Sequence, residues 1–198
     1  MRKIALICLL VLISACTSTS LINVWDSKTI PAQPLTKILV LGVSDQQSTK
    51  RSFEDLFSAQ LAKHQVEAIP GYLVVPEGKE KDHQAIREIA QKNGAQGVLV
   101  VHYQGVDTRQ EYVPPTITPT YYHGFGRYYP FVYGYVHQPG YYINRKYLRL
   151  ESNLYQVSDG KLLWAASSET LEPVSIRTLV RELSDAIMQD LKKKGLIL

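Results

Sequence analysis

Residues 37–44, KILVLGVS, and residues 96–103, QGVLVVHY, are two continuous aliphatic runs of strand length, with two helical patterns between them. Strands that read as unbroken Val/Ile/Leu runs suit burial on both faces, as in a parallel sheet covered by helices. After the first run, Phe53, Leu56, Phe57 and Leu61 fall on one helical face, with Ser48 or Thr49 as the expected cap. A second helical pattern, over residues 82–93, turns Ala85, Ile86, Ile89 and Ala90 inward and stops at Asn93-Gly94. Residues 66–75 are a further strand candidate, interrupted by Pro70-Gly71, which should bulge it or set it at an edge. Strand–helix–strand–helix–strand with short links implies right-handed crossovers and a largely parallel sheet.

Outward from this half, residues 147–157 alternate like a strand, with Leu148, Leu150 and Leu154 on a shared face. Ser158-Asp159-Gly160-Lys161 is a tight turn, because Asp-Gly accepts positive φ, and residues 161–170 return as the partner strand. Pro173 leads into a last helix with Ile176, Leu179, Val180, Leu183, Ile187 and Leu191 along one stripe. Lys192 to Lys194 suit the negative end of its dipole. On the amino-terminal side, residues 21–25 read as a short strand and residues 26–36, with Pro31 and Pro34, as an irregular crossing. The expected fold is α/β: a βαβαβ half, then a β-hairpin and a C-terminal helix, with one long insertion.

That insertion spans residues 113–142. It holds five prolines, several glycines and a dense set of aromatics: Tyr121, Tyr122, Tyr128, Tyr129, Phe131, Tyr133, Tyr135, Tyr141 and Tyr142. No strand or helix period survives there, so it reads as a long loop. Tyrosine offers large contact area, few rotatable bonds and a hydroxyl, which suits recognition surfaces. Three readings stay open: a partner-binding arm, a flexible low-complexity segment, or a flap over the domain's own sheet.

The amino terminus has three parts. Arg2 and Lys3 give a positive start, residues 4–13 form an almost purely apolar run, and Ser14-Ala15 put small side chains before Cys16. The apolar run is half the roughly 20 residues needed to cross a bilayer, so the layout is that of a secretory signal. Ile13-Ser14-Ala15-Cys16 resembles the lipobox of bacterial lipoproteins. The resemblance implies diacylglycerol on the Cys16 sulfur, cleavage before Cys16 and acylation of the new amino terminus; a plain signal peptide with a chance cysteine is the alternative. More than one acyl chain is what stable anchoring requires. Thr17 is not the Asp that keeps many enteric lipoproteins in the inner membrane, so the resemblance implies the outer membrane, periplasmic face.

Composition agrees with export. Cys8 falls in the removed segment, so the mature chain keeps no free thiol, and an exported domain without disulfides must be held by its core. The expected division is a signal peptide over 1–15, a lipidated tether and crossing over 16–36, and one α/β domain over 37–198. Without Arg2 and Lys3 the charge is 20 basic against 18 acidic residues, too mild to imply nucleic acid.

The order of segments resembles a group of uncharacterised proteobacterial lipoproteins. The matching pieces are the lipobox, Trp25, KILVLGVS, Arg51 with Phe53-Glu54, Pro70-Gly71-Tyr72, GAQGVLVV and LYQVSDGKLLW ending at Trp164. More remotely it is similar to the small α/β domains of curli-secretion and penicillin-binding-protein-activator lipoproteins. Neither group brings a catalytic motif to carry over, and fold likeness does not fix function.

The residues themselves point away from catalysis. Glycine spacing matches no Walker or dinucleotide loop, no Gly-x-Ser-x-Gly elbow occurs, and HExxH is absent. His102, His123 and His137 are spaced like no zinc motif, so neither metal nor cofactor is expected. Residues 48–51 at a helix start offer a weak anion site against ordinary capping. Arg51 and Glu54 read as a surface i,i+3 pair rather than a polar site at the strand edge. The expected function is therefore a non-enzymatic binding or scaffold component of the cell envelope. Its partners would be the bilayer, through acylated Cys16, and an envelope protein or peptidoglycan. A self-assembling subunit of an envelope or secretion complex is the alternative.

Overall fold

The computed structural model describes residues 18–28, 31–115, 124–136 and 140–198. Six strands form one sheet: β1 (Thr19–Asp26), β2 (Lys37–Val43), β3 (Glu67–Pro70), β4 (Gly97–Val113), β5 (Tyr141–Gln156) and β6 (Leu162–Leu171). The helices are α1 (Gln47–Lys63), the single turn α2 (Gly71–Val74), α3 (His83–Lys92), α4 (Phe125–Val136) and α5 (Ile176–Lys193).

The strand order is β1-β6-β5-β4-β2-β3. The βαβαβ half is parallel as expected: β2 pairs in parallel with both β3 and β4, Ile38 lying beside Gly97 and Lys37 beside Glu67. From β4 onward the pairing turns antiparallel, β4 with β5, β5 with β6 and β6 with β1. The turn at residues 158–161 matches expectation, with Gly160 at φ +75°.

Helices cover both faces of the parallel half. On one face α1 and α5 bury Phe53, Phe57, Leu61, Leu183, Ile187 and Leu191 against Ile38, Leu99, Leu154 and Trp164. On the other, Ala90 of α3 packs with Leu39, Val98 and Val157. Trp164 is fully buried, and its Nε1 donates to Asp190 of α5 over 2.7 Å.

Four expectations need correction. The short strand expected over residues 21–25 is present but longer: β1 pairs with β6 from Thr19–Thr170 to Asp26–Trp164, so Thr19, Ser20 and Asp26 also belong to the sheet, and Leu21 packs on the main core. The first helix starts at Gln47 with Gln46 as its cap residue, and no side chain of Ser48 or Thr49 caps it. The strand expected over 66–75 ends at Pro70, because Gly71 begins a helical turn pressed against β2. A Cβ on Gly71 would stand 2.4 Å from Leu41 Cδ2 and 2.9 Å from the Val40 carbonyl.

The fourth concerns residues 113–142, expected to be a structureless loop. β4 runs to Val113, β5 begins at Tyr141, and residues 125–136 are helical with Pro130 inside. Sixteen residue pairs join β4 and β5, with a bulge between Tyr103 and Gly105, whose φ is +139°. Ladder hydrogen bonds, rather than a hydrophobic face, hold the outer part of this ribbon, which is why its sequence carries little apolar alternation.

Leu183→Ala should lower stability by about 3 kcal/mol, since it empties a fully buried site. Equilibrium urea unfolding measures this, with an unchanged m-value; a loss below about 1 kcal/mol would show that α5 is not a core element.

Candidate functional site

The sequence pieces Gly42, Glu54 and Pro70-Gly71-Tyr72 converge at the C-terminal edge of the parallel strands. Glu54 is fully buried, so it is not the surface partner of Arg51 that its i,i+3 spacing suggested. One carboxylate oxygen accepts from the Gly42 N–H over 2.9 Å and the other from the Tyr72 N–H over 2.6 Å. A single side chain thus satisfies two backbone donors left over where β2 and β3 end. Burial raises the Glu54 pKa above its ordinary value, opposed by the hydrogen bonds from Gly42 and Tyr72. Arg51 instead lies over the Tyr72 ring at 5.6 Å, and the Tyr72 hydroxyl donates to Asp55 over 2.8 Å. The cluster is a fastener of α1 to the strand ends. Both carboxylate oxygens are engaged by backbone, which leaves Glu54 poorly placed as a general base.

A groove of about 600 Å³ opens beside it, lined by Val43, Phe53, Tyr103, Leu150, Ile176 and Leu179 among others. Open α/β sheets commonly bind ligands at this edge. The lining is mainly apolar, with Ser44, Thr49, Lys50 and His102 at the margin. His102 Nε2 lies 3.7 Å from Glu151, and no group of three or more His, Cys, Asp or Glu able to hold a metal occurs among the described residues.

The ribbon formed by β4 and β5 holds a second polar cluster that sequence reading did not single out. Arg109 and Arg149 both donate to Glu169 of β6, Arg149 at 2.6 and 2.9 Å, and both contact Asp107, at 3.0 and 3.2 Å. The Arg109 guanidinium stands 4.6 Å from the Tyr147 ring centre, and the Tyr147 hydroxyl donates to Glu111 over 2.6 Å. Hydrogen bonds from Arg109, then Arg149, hold the Glu169 carboxyl below the usual range despite some desolvation. Every carboxylate here faces a cation or a hydroxyl, so the network stiffens the ribbon's root. The i,i+2 spacing of Asp107, Arg109 and Glu111 was the available signal, since alternate residues share one strand face.

The tyrosines fare unequally. Tyr142 sits opposite Tyr112 with ring centres 5.3 Å apart, and Tyr141 pairs with Val113, so both occupy the ribbon tip. Tyr112 is a site residue that sequence reading missed. Tyr128 and Tyr129 are exposed on α4, where Tyr129 stacks on Phe125 at 5.4 Å, the contact expected at i,i+4. The backbones of Tyr133 and Tyr135 belong to α4. Cys16, Tyr121 and Tyr122, with His123 and His137, lie outside the described residues. No helix among the described residues is long and apolar enough to cross a membrane.

Replacing Glu54 tests its role through pH. Its raised pKa means the native state binds more protons than the unfolded chain, so its contribution to stability declines as pH rises above the ordinary 4.5. The stability of the chain minus that of Glu54→Gln should therefore fall between pH 4 and 8 in denaturant titrations. A difference that grows with pH would contradict the assigned burial. Glu54→Ala, which strands two N–H donors, should cost about 2–4 kcal/mol at pH 4 and show the same decline as pH rises.

No protein-family model and no curated protein matches this chain. Among solved structures it is similar to the PelC dodecamer from Paraburkholderia phytofirmans, with 14% identity and a TM-score of 0.43 over 87% of this chain and 94% of that one. Lipoprotein GNA1162 from Neisseria meningitidis is also similar, at 17% identity and a TM-score of 0.41 over 80% and 99%. These are remote likenesses of fold.

Proposed function

We propose that this chain is a membrane-anchored, periplasm-facing lipoprotein, held at the outer membrane by acylated Cys16, that acts as a non-enzymatic binding or scaffold component of the cell envelope. The lipobox-like residues 13–16 support the anchor. The observation that carries the binding role is the ribbon of β4 and β5, whose tip and connecting segment present exposed aromatics. Tyr142 is 68% exposed and Phe125 77%, with Tyr112, Tyr128, Tyr129 and Tyr141 also open to solvent. Rigid aromatic surface raised on a paired scaffold gains contact area at low entropic cost, which favours recognition. Among the described residues, the most enclosed carboxylates serve structure: Glu54 is tied to backbone amides and Glu169 to arginines.

A second reading, a self-assembling subunit, draws on one feature. β1 is an eight-residue edge strand whose outer side has no neighbour in the sheet among the described residues, an open template for another copy. Sedimentation equilibrium of the chain begun at residue 18 separates the two, because a concentration-independent monomer would remove the assembly reading.

Photoreactive residues placed at Tyr128 and Tyr142 in cells should capture a discrete envelope component, while the same residue at Lys161, in the turn between β5 and β6, should not. Equal capture at all three positions, or none at any, would contradict a binding ribbon.

A further inference from the structure

The point where the chain enters the sheet, at Ser18, and the aromatic ribbon lie at one end of the sheet. β1 starts with Thr19 beside Thr170 and runs away to Asp26 beside Trp164, so the chain enters at the Leu171 end of β6. It is fixed there: the Ser18 N–H and hydroxyl donate to Glu182 Oε2 over 3.0 and 2.8 Å, and the Leu171 N–H donates to the Ser18 carbonyl over 3.0 Å. Cys16 is two residues earlier, and two residues of chain reach at most about 8 Å. Leu171 is level with Tyr147, and beyond that row β4 and β5 continue alone for six pairs, from Thr108–Lys146 to Val113–Tyr141. At roughly 3.3–3.4 Å per residue the ribbon extends about 20 Å past the level of Ser18.

Exposed apolar surface gathers at the same end. Val43, Leu73, Tyr103, Val106, Val174 and Ile176 lie around this rim, Val174 at 91% exposure. Of the fifteen large hydrophobic side chains exposed among the described residues, only Val24, Trp25 and Leu198 lie elsewhere; the others are on the rim, the ribbon or α4. A soluble surface scatters such groups singly, whereas a concentration of them marks an interface.

We infer that this rim and the aromatic ribbon, the ribbon lying along the surface rather than pointing into it, rest in the headgroup interface of the bilayer that holds Cys16. The inference relies on the anchored-lipoprotein reading above and names the partner of its aromatic surface. A tether this short brings the rim to the membrane, and tyrosine favours the boundary between headgroups and acyl chains. Exposed Lys146 and Arg177 on the rim add cations for lipid phosphates. The hydrocarbon itself is closed to the ribbon. Beyond the Lys146–Glu172 contact its two outer edges have no neighbouring strand among the described residues, and Arg109, Glu111 and Arg145 would have to be desolvated. The surface therefore lies on the membrane and does not span it.

The test uses the lipidated chain cleaved before Cys16, in which Cys8 is gone, Cys16 is blocked and any introduced cysteine is the sole free thiol. Tyr142→Cys, Val174→Cys and Lys161→Cys are labelled with an environment-sensitive fluorophore in vesicles of phosphatidylethanolamine and phosphatidylglycerol. Some of the vesicles carry a lipid with a headgroup-level quencher. A several-fold loss of fluorescence at 142 and 174, and none at 161, is expected. Labels at 142 and 174 that escape the lipid quencher would overturn the inference. Energy transfer between copies at those positions, without lipid quenching, would also overturn it and assign the surface to a second copy. A chain found without lipid on Cys16 would remove the anchored reading itself, an outcome distinct from a lipidated chain with unquenched labels.

Discussion

Pairing between β4 and β5 is the interaction on which the rest of this structure depends. It joins a parallel half, built on β2, to an antiparallel half that carries β6 and β1. It also continues past the sheet to form the only scaffold the aromatic tip has among the described residues. The ladder begins in a tight place: a Cβ on Gly97 would lie 3.0 Å from Leu35 Cδ1 and 3.2 Å from Leu154 Cδ1. Close approach at Gly97 lets β5 lie flat beside β4, in the register that brings Arg149, Arg109 and Glu169 together further along the ladder.

Two carboxylates fasten the two halves. Glu54 closes the parallel edge by accepting from the ends of β2 and α2, and Glu182 closes the antiparallel edge by accepting from Ser18 and Thr19. Each takes backbone or hydroxyl donors that would otherwise be stranded where strands stop. Both act as structural clamps, and the second one fixes the direction in which the chain leaves the domain toward residue 16. Fold and functional proposal meet at that point, since the clamp determines which surface a short anchor would bring to a membrane.

Much of the architecture was legible because burial writes itself in aliphatic runs. Residues 37–43 and 97–102 lie in parallel neighbours, the stripe of Val180, Leu183, Ile187 and Leu191 is buried, and Asp159-Gly160 makes the expected turn. What stayed hidden had no hydrophobic period to show. Residues 104–113 are mostly charged and polar on both faces, because the ribbon's outer half has no core to face. Pro130, Gly126 and Gly134 mask the helical register of residues 125–136. Glu54 looked like a surface residue because the donors that bury it come from Gly42 and Tyr72, distant in sequence. Aromatics do concentrate where the sequence pattern suggested, while Tyr112 and the arginine cluster needed strand pairing to be seen.

Amide hydrogen exchange along residues 104–147 measures the ribbon most directly. Slow exchange alternating along residues 105–113 and 141–147, as an antiparallel ladder requires, is the expected result. Protection that stops at Tyr103 and resumes only at Tyr147 would contradict it, since the aromatic tip would then have no scaffold to hold it at the anchored end of the sheet.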